Sequence, residues 1–374
     1  MGLGHKLSTL RGYLKRKFLH AAAPSLRTDQ RVHAGTLAVP ARIGQREPAA
    51  TAVKAGSSVY SRWHKRDIDA KDASGPFACQ RLRQPRFSAI VEPGFRIDRK
   101  DRLFAIGSCF ARGIENALKA RGFNVESAAK DFDRFNVVTG AKVTALGFTN
   151  KYTTYSMLNE LGWALDLAAS FPEESLVDLD AQRCIDPHIN PTLQVVDRPG
   201  TLERRHVIQE VTKRVRNCRV VFMTLGLVEV WYDTQVGIYL NTTPTHEMLK
   251  LFPKRYEFMV SNYVQNLENM ERIHALLTAH GHPELRMVVT TSPVPLQQSY
   301  SGLDIVVANT YSKSTLRAVS QDFAAAHDNV EYFPSYEMVM NSERAAAWEE
   351  DFRHVQGGMT NHVMDQFIRG FVNE

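Results

Sequence analysis

The chain has 374 residues, 44% hydrophobic and 23% charged, the balance of a soluble globular protein with a sizeable core rather than of a disordered chain. Its four cysteines, Cys79, Cys109, Cys184 and Cys218, form no CxxC pair and no dense framework, so neither a metal site nor a disulfide scaffold is expected. The net charge of +6 hides two unlike parts. Residues 1–100 hold 20 Lys and Arg against 7 Asp and Glu, and the remainder holds 26 against 33.

A basic first quarter suits anionic lipid, nucleic acid or the acidic body of the same protein. Within it, residues 1–20 read as a basic amphipathic helix. Leu3, Leu7, Leu10, Leu14 and Phe18 share one face, and Lys6, Arg11, Lys15, Arg16 and Lys17 fill the rest, a pattern that suits peripheral contact with a membrane. Residues 21–58 are rich in Ala, Pro, Gly, Ser and Arg and read as a linker. The predicted organisation is therefore an N-terminal extension over 1–58 and a compact domain over 59–374. No apolar run reaches the roughly 18–20 residues of a membrane span. The basic start leads into no apolar signal segment, and Lys6 breaks the myristoylation pattern that Gly2 would begin. A cytoplasmic location is expected.

The compact body is expected to start near Arg102. Leu103–Ile106 reads as a buried strand that ends at Gly107-Ser108, followed by a helical pattern up to Gly122 and a strand over 123–125. Further strands are predicted at 219–224, 287–290 and 330–333. Helices are predicted at 256–279, 309–326 and 361–372, and insertions at 180–200 and 232–253. Strands alternating with helices predict a mostly parallel sheet with helices on both faces.

In such sheets ligands bind at the carboxyl ends of the strands. Ser108 lies at one, where Gly107 permits a sharp turn. The Ser108 and Cys109 amides open a helix without intrahelical acceptors and so suit an oxyanion. A plain N-cap explains the same pair. Asp351-Phe352-Arg353-His354 places an acid three residues before a base, which is what a serine nucleophile requires; a solvated charged turn has the same spelling. Gly226, in Thr224-Leu225-Gly226-Leu227-Val228-Glu229-Val230-Trp231, would let a backbone amide approach a substrate oxygen, and Glu229 could accept a substrate hydroxyl or join a surface ion pair. Asn309, at the head of a predicted helix, is either a ligand-binding group or the cap.

Gly107-Ser108-Cys109-Phe110-Ala111 spells the motif after which the GSCFA domain family is named. The blocks at 224–231, at Ser292-Pro293-Val294-Pro295-Leu296, at 309–317 and at 351–354 resemble that family in the same order, so the resemblance covers roughly residues 85–370. The family is similar to the SGNH (GDSL-like) hydrolases, which implies a three-layer α/β/α sandwich, SGNH-hydrolase or flavodoxin-like, around the mostly parallel sheet. The likeness also implies Ser108 as nucleophile, with Asp351 and His354 as its acid–base partners. It also exposes a departure. Aligning the Gly-x-Asn-Asp block on Gly226 puts Val228 where the oxyanion-binding Asn would stand, so the Gly226 amide or Asn150 must serve instead.

The expected activity is a serine-dependent ester hydrolase or O-acyltransferase, acting on an acetyl ester of a carbohydrate. No cofactor is expected, and acyl-CoA enters as co-substrate only if the reaction is a transfer. The rival reading is an inactive glycan-binding or assembly protein on the same scaffold. A nucleic-acid partner is not expected, because no recognisable binding motif accompanies the basic region. Oligomeric state is open.

Overall fold

The computed structural model describes residues 43–135, 147–166 and 169–373. The amphipathic helix expected over 1–20 lies outside them. The linker expected over 21–58 contains a short helix, Ala49–Gly56, with no buried side chain.

The central sheet has five strands: β1 Arg102–Gly107, β2 Asn124–Val125, β3 Val220–Leu225, β4 Arg286–Thr291 and β5 Val330–Tyr332. All neighbours are parallel and the order is β5-β4-β3-β1-β2. Chain order and spatial order part company between β1 and β3. In a doubly wound sheet this reversal opens a crevice outside the strands' carboxyl ends, where ligands bind.

Alternation along each strand builds one core on each face. Leu103, Ala105, Val220 and Phe222 point one way, into a cluster with Ile114 and Leu118 of α1 (Cys109–Ala120) and Met359, Val363, Phe367 and Phe371 of α6 (Gly357–Phe371). Phe104, Ile106, Val221 and Met223 point the other way. They meet Met157 and Leu161 of α2 (Thr154–Leu165), Met270 and Ile273 of α4 (Tyr263–His280), and Leu316 and Val319 of α5 (Ile305–Ala326). The result is a three-layer α/β fold. Among the described residues no helix is long and apolar enough to cross a membrane.

Several boundaries differ from the sequence reading, each for a physical reason. The helix expected over 256–279 begins as a strand: Tyr256–Val260 pairs antiparallel with Glu229–Asp233, and Asn262 then caps α4. Asn309 is not a cap, because Asp304 receives the Val306 N–H and α5 starts at Ile305. The 180–200 stretch holds a two-stranded hairpin, Val177–Asp180 with Arg183–Ile185, and the first turn of α3 (Arg198–Lys213). Packing also starts before Arg102: Phe87 and Phe95 are buried, and fully buried Ile97 pairs with Val372.

A buried ion network ties α2 and α3 to the segment leading into the site. Arg205 of α3 bonds Glu160 of α2 at 2.8 Å and also Asp186, while Lys151 Nζ meets Glu160 at 2.6 Å and the His188 carbonyl at 2.6 Å. Burial raises the Glu160 carboxyl, but Arg205 and Lys151 outweigh it and hold the group down to about 2. The Lys151 N–H in turn donates to the Gly107 carbonyl at 2.8 Å. Replacing Arg205 with Met should strand Glu160 and Asp186 as buried carboxylates with too few partners. A loss of about 3–5 kcal/mol is expected in urea unfolding, and a loss under about 1 kcal/mol would show that the network carries little.

Candidate functional site

The turn after β1 is set by one missing side chain. Gly107 has φ +151°, and a Cβ there would lie 2.1 Å from Thr224 Oγ1 and 2.5 Å from the Thr224 carbonyl oxygen. Only glycine accepts both that backbone and that contact, so β1 and β3 close in register, Gly107 opposite Thr224. Ser108 follows as the N-cap of α1 in extended conformation, its Oγ accepting from the Phe110 N–H at 3.4 Å. It is 4% exposed. Its Oγ donates to Ser292 Oγ at 2.9 Å, and its N–H donates to Thr224 Oγ1 at 3.1 Å. The Ser108 amide is therefore engaged within the protein, which corrects the expectation that it is free for an oxyanion. Cys109 is the first residue inside the helix and is partly exposed.

Asp351 and His354 meet as the sequence suggests. Asp351 Oδ1 accepts from the Arg353 and His354 amides, both at 2.9 Å, and Oδ2 lies 2.6 Å from His354 Nδ1. Those amides, joined by the His354 ring, hold the Asp351 carboxyl well below the usual carboxylate range. The Arg353 guanidinium lies 3.1 Å from His354 Nε2. A guanidinium only donates, so Nε2 is the acceptor and the ring proton sits on Nδ1, facing Asp351. That tautomer is the one a general base requires. The loop is held by the antiparallel Trp348–Val355 bridge, and Phe352 at its tip has φ +51°, rare for a bulky residue.

The loop reaches the turn through Arg353, whose charge acts on Cys109, Lys313 and Tyr152. Among the described residues no hydrogen bond joins His354 to Ser108 or Cys109. Catalytic contacts are commonly loose before substrate binds.

Gly226 lies against the same turn. A Cβ on it would be 2.8 Å from the Tyr152 carbonyl oxygen and 3.5 Å from Ser108 Cβ. Its own carbonyl accepts from Lys313 Nζ at 2.8 Å. Asn150 is 2% exposed; its Nδ2 is 3.4 Å from the Tyr152 hydroxyl, and its Oδ1 has no hydrogen-bond partner. Asn150 thus keeps an unpartnered buried acceptor beside the turn. Glu229 is committed to structure, accepting from Ser299 Oγ at 2.5 Å and the Tyr300 amide at 3.0 Å. Asn309 Oδ1 likewise accepts from the Leu296 amide at 3.2 Å.

The structure thus gathers Gly107, Ser108, Cys109, Asn150 and Gly226 at the switch point. It pairs Asp351 with His354 on a neighbouring loop, and it occupies Glu229 and Asn309 elsewhere. Sequence reasoning missed Thr224, Tyr152 and Lys313. Lys313 left a signal: it sits among Ala308, Ser312 and Leu316 on the buried side of α5, where a lysine needs a reason. Among the described residues no group of His, Cys, Asp and Glu could hold a metal ion.

The model describing the GSCFA family matches residues 102–367, from the start of β1 into α6. No curated protein matches the chain. The close approach of the strands yields a direct test: Gly107→Ala should destabilise the fold by more than about 3 kcal/mol through strain and overpacking together, measured by urea unfolding. A change below about 1 kcal/mol would mean that the turn is not constrained as described.

Proposed function

The chain belongs to the GSCFA family, and from that premise we propose that it transfers an acyl group, as an ester hydrolase or O-acyltransferase, at the 107–109 turn. The observation that carries this reading is the Asp351–His354 pair. Its imidazole is fixed in the base-competent tautomer, on a loop whose Arg353 acts electrostatically on the residue heading α1. A nucleophile at a strand end, a helix head and an oriented base are the parts acyl transfer needs.

His354 removes a proton from the incoming water or acceptor hydroxyl, and Asp351 stabilises the resulting imidazolium. The arriving substrate displaces Arg353 from Nε2. Asn150 and the Cys109 amide face the acyl oxygen. The Val228 position does not supply that donor: its side chain is apolar and 1% exposed. An O-acetylated carbohydrate is the proposed substrate. Tyr300, in the loop after β4, and Tyr311, on α5, are 39% and 47% exposed, and such rings offer flat amphipathic faces to a sugar. With water as acceptor the reaction is hydrolysis; with a sugar hydroxyl and an acyl-CoA donor it is transfer.

Hydrolysis of p-nitrophenyl acetate and release of acetate from an acetylated oligosaccharide test the reading. His354→Ala should lower turnover by about 10²–10⁴-fold, and Asp351→Asn should lower it substantially, with melting temperatures unchanged because both side chains are about half exposed. Wild-type turnover that both variants retain in full would overturn the assignment.

A further inference from the structure

A surface well before β1 in the chain is left unused by the candidate site. Residues 43–66 carry five Lys and Arg (Arg46, Lys54, Arg62, Lys65 and Arg66) against one carboxylate, Glu47. All five cations are exposed, and among the described residues none of them is in an ion pair. Large apolar side chains stand in solvent between them. Trp63 is 67% exposed and Val53 73%, with Val59 at 38%. Single exposed apolar residues are ordinary on a protein surface. An indole inside Arg62-Trp63-His64-Lys65-Arg66 is not, because apolar and cationic groups are interleaved over one short stretch.

This stretch is fastened to the rest of the domain. The Ala78 and Cys79 amides donate to the Arg62 and Trp63 carbonyls at 3.3 and 3.0 Å. Ser61 Oγ donates to the Ala55 carbonyl at 3.1 Å, and Arg62 Nε donates to the Gly56 carbonyl at 3.4 Å, which ties residues 61–62 to the end of the Ala49–Gly56 helix. The Arg81 guanidinium spans the Tyr60 and Phe87 rings at 5.8 and 5.3 Å, and the Phe87 N–H donates to Ser342 Oγ at 2.8 Å. The Trp63 backbone is thus fixed while its ring stays in solvent. The Ala49–Gly56 helix has eight residues and no buried side chain. A helix that short gains too little from propensity in water to persist alone, so contact with a second surface is what stabilises it.

We propose that residues 49–66 form a docking surface for a lipid bilayer that carries anionic headgroups. Trp63 enters the boundary between headgroups and acyl chains, and Lys54, Arg62, Lys65 and Arg66 face the phosphates. This inference is independent of the acyl-transfer reading, and the surface is separate in sequence from the amphipathic pattern of residues 1–20.

Charge complementarity selects the partner. Each Lys or Arg near an anionic leaflet adds attraction. An indole suits the interface because its body is apolar and its N–H is polar. A nucleic acid also attracts the cations and stacks on an exposed indole, but it leaves Val53 and Val59 without a role. A bilayer takes both into its boundary. The contact is reversible and peripheral, since one indole and four cations hold far less tightly than a spanning helix.

The test floats the full chain with vesicles of phosphatidylcholine alone and of phosphatidylcholine with about one-third phosphatidylserine, at about 0.1 M and about 0.5 M salt. It compares wild type with Trp63→Ala, with Lys65→Gln/Arg66→Gln, and with Leu7→Gln/Leu10→Gln as a control on residues 1–20. Circular dichroism should match wild type in each, because the changed side chains of 63–66 are exposed. Wild type should float with the anionic vesicles at low salt and be released at high salt. Trp63→Ala should bind about tenfold more weakly, and Lys65→Gln/Arg66→Gln about 20-fold more weakly. Brominated acyl chains should quench part of the tryptophan fluorescence of wild type and none of it in Trp63→Phe. Flotation that both of these variants keep in full and only Leu7→Gln/Leu10→Gln loses would overturn the proposal in favour of residues 1–20. A folded wild type that does not float at low salt, or that a single-stranded oligonucleotide retains through Trp63 while anionic vesicles do not, would overturn it as well.

Discussion

The close approach of Gly107 to Thr224 is the constraint from which the rest of the site follows. Two parallel strands meet at the point where the sheet reverses its winding, with no room for a Cβ between them. The chain turns there at once into a helix, so the residues after Gly107 stand at the mouth of the crevice. Ser108 caps the helix with its hydroxyl turned inward, and Cys109, at the first helical position, packs partly buried against the α1–α6 core. The chemistry available at the turn is decided by backbone geometry before any side chain acts.

Two further devices hold partners around that turn. The network of Arg205, Glu160, Asp186 and Lys151 anchors the 150–153 segment, whose Lys151 amide bonds the Gly107 carbonyl and whose Tyr152 carbonyl receives the Leu227 amide at 2.8 Å. Buried charges contribute little net stability, but they fix position, because any other arrangement leaves a charge unpaired. From the other side, the 348–355 loop presents Asp351, Arg353 and His354. Its Phe352 stays in left-handed backbone because the Asp351 carboxylate ties down both following amides.

The parallel sheet was largely legible in the sequence, because short continuous apolar runs closed by Gly107, Gly226 and Pro293 mark β1, β3 and β4 within a residue or two. Tyr256–Val260 was misread because its apolar residues lead directly toward those of α4, with only Ser261 and Asn262 between them. The Ser108, Asp351 and His354 trio stands out by motif, yet the sequence does not say that the Ser108 hydroxyl is turned inward. That depends on hydroxyls from Thr224 and Ser292, more than a hundred residues away along the chain. Glu229 and Asn309 looked available for the same reason, since the loop amides that occupy them are visible only in three dimensions. Lys313 was legible in principle, as a charge on an otherwise buried helical face.

The account stands or falls on whether the turn at the head of α1 carries an acyl group. Brief reaction with an activated acetyl ester, followed by acid quench and peptide mapping by mass spectrometry, addresses this directly. The account predicts one acetyl group on the peptide containing residues 107–110, accumulating more in His354→Ala, where water is no longer activated to remove it. Acetylation confined to surface lysines in a folded protein, with that peptide unmodified, would contradict it.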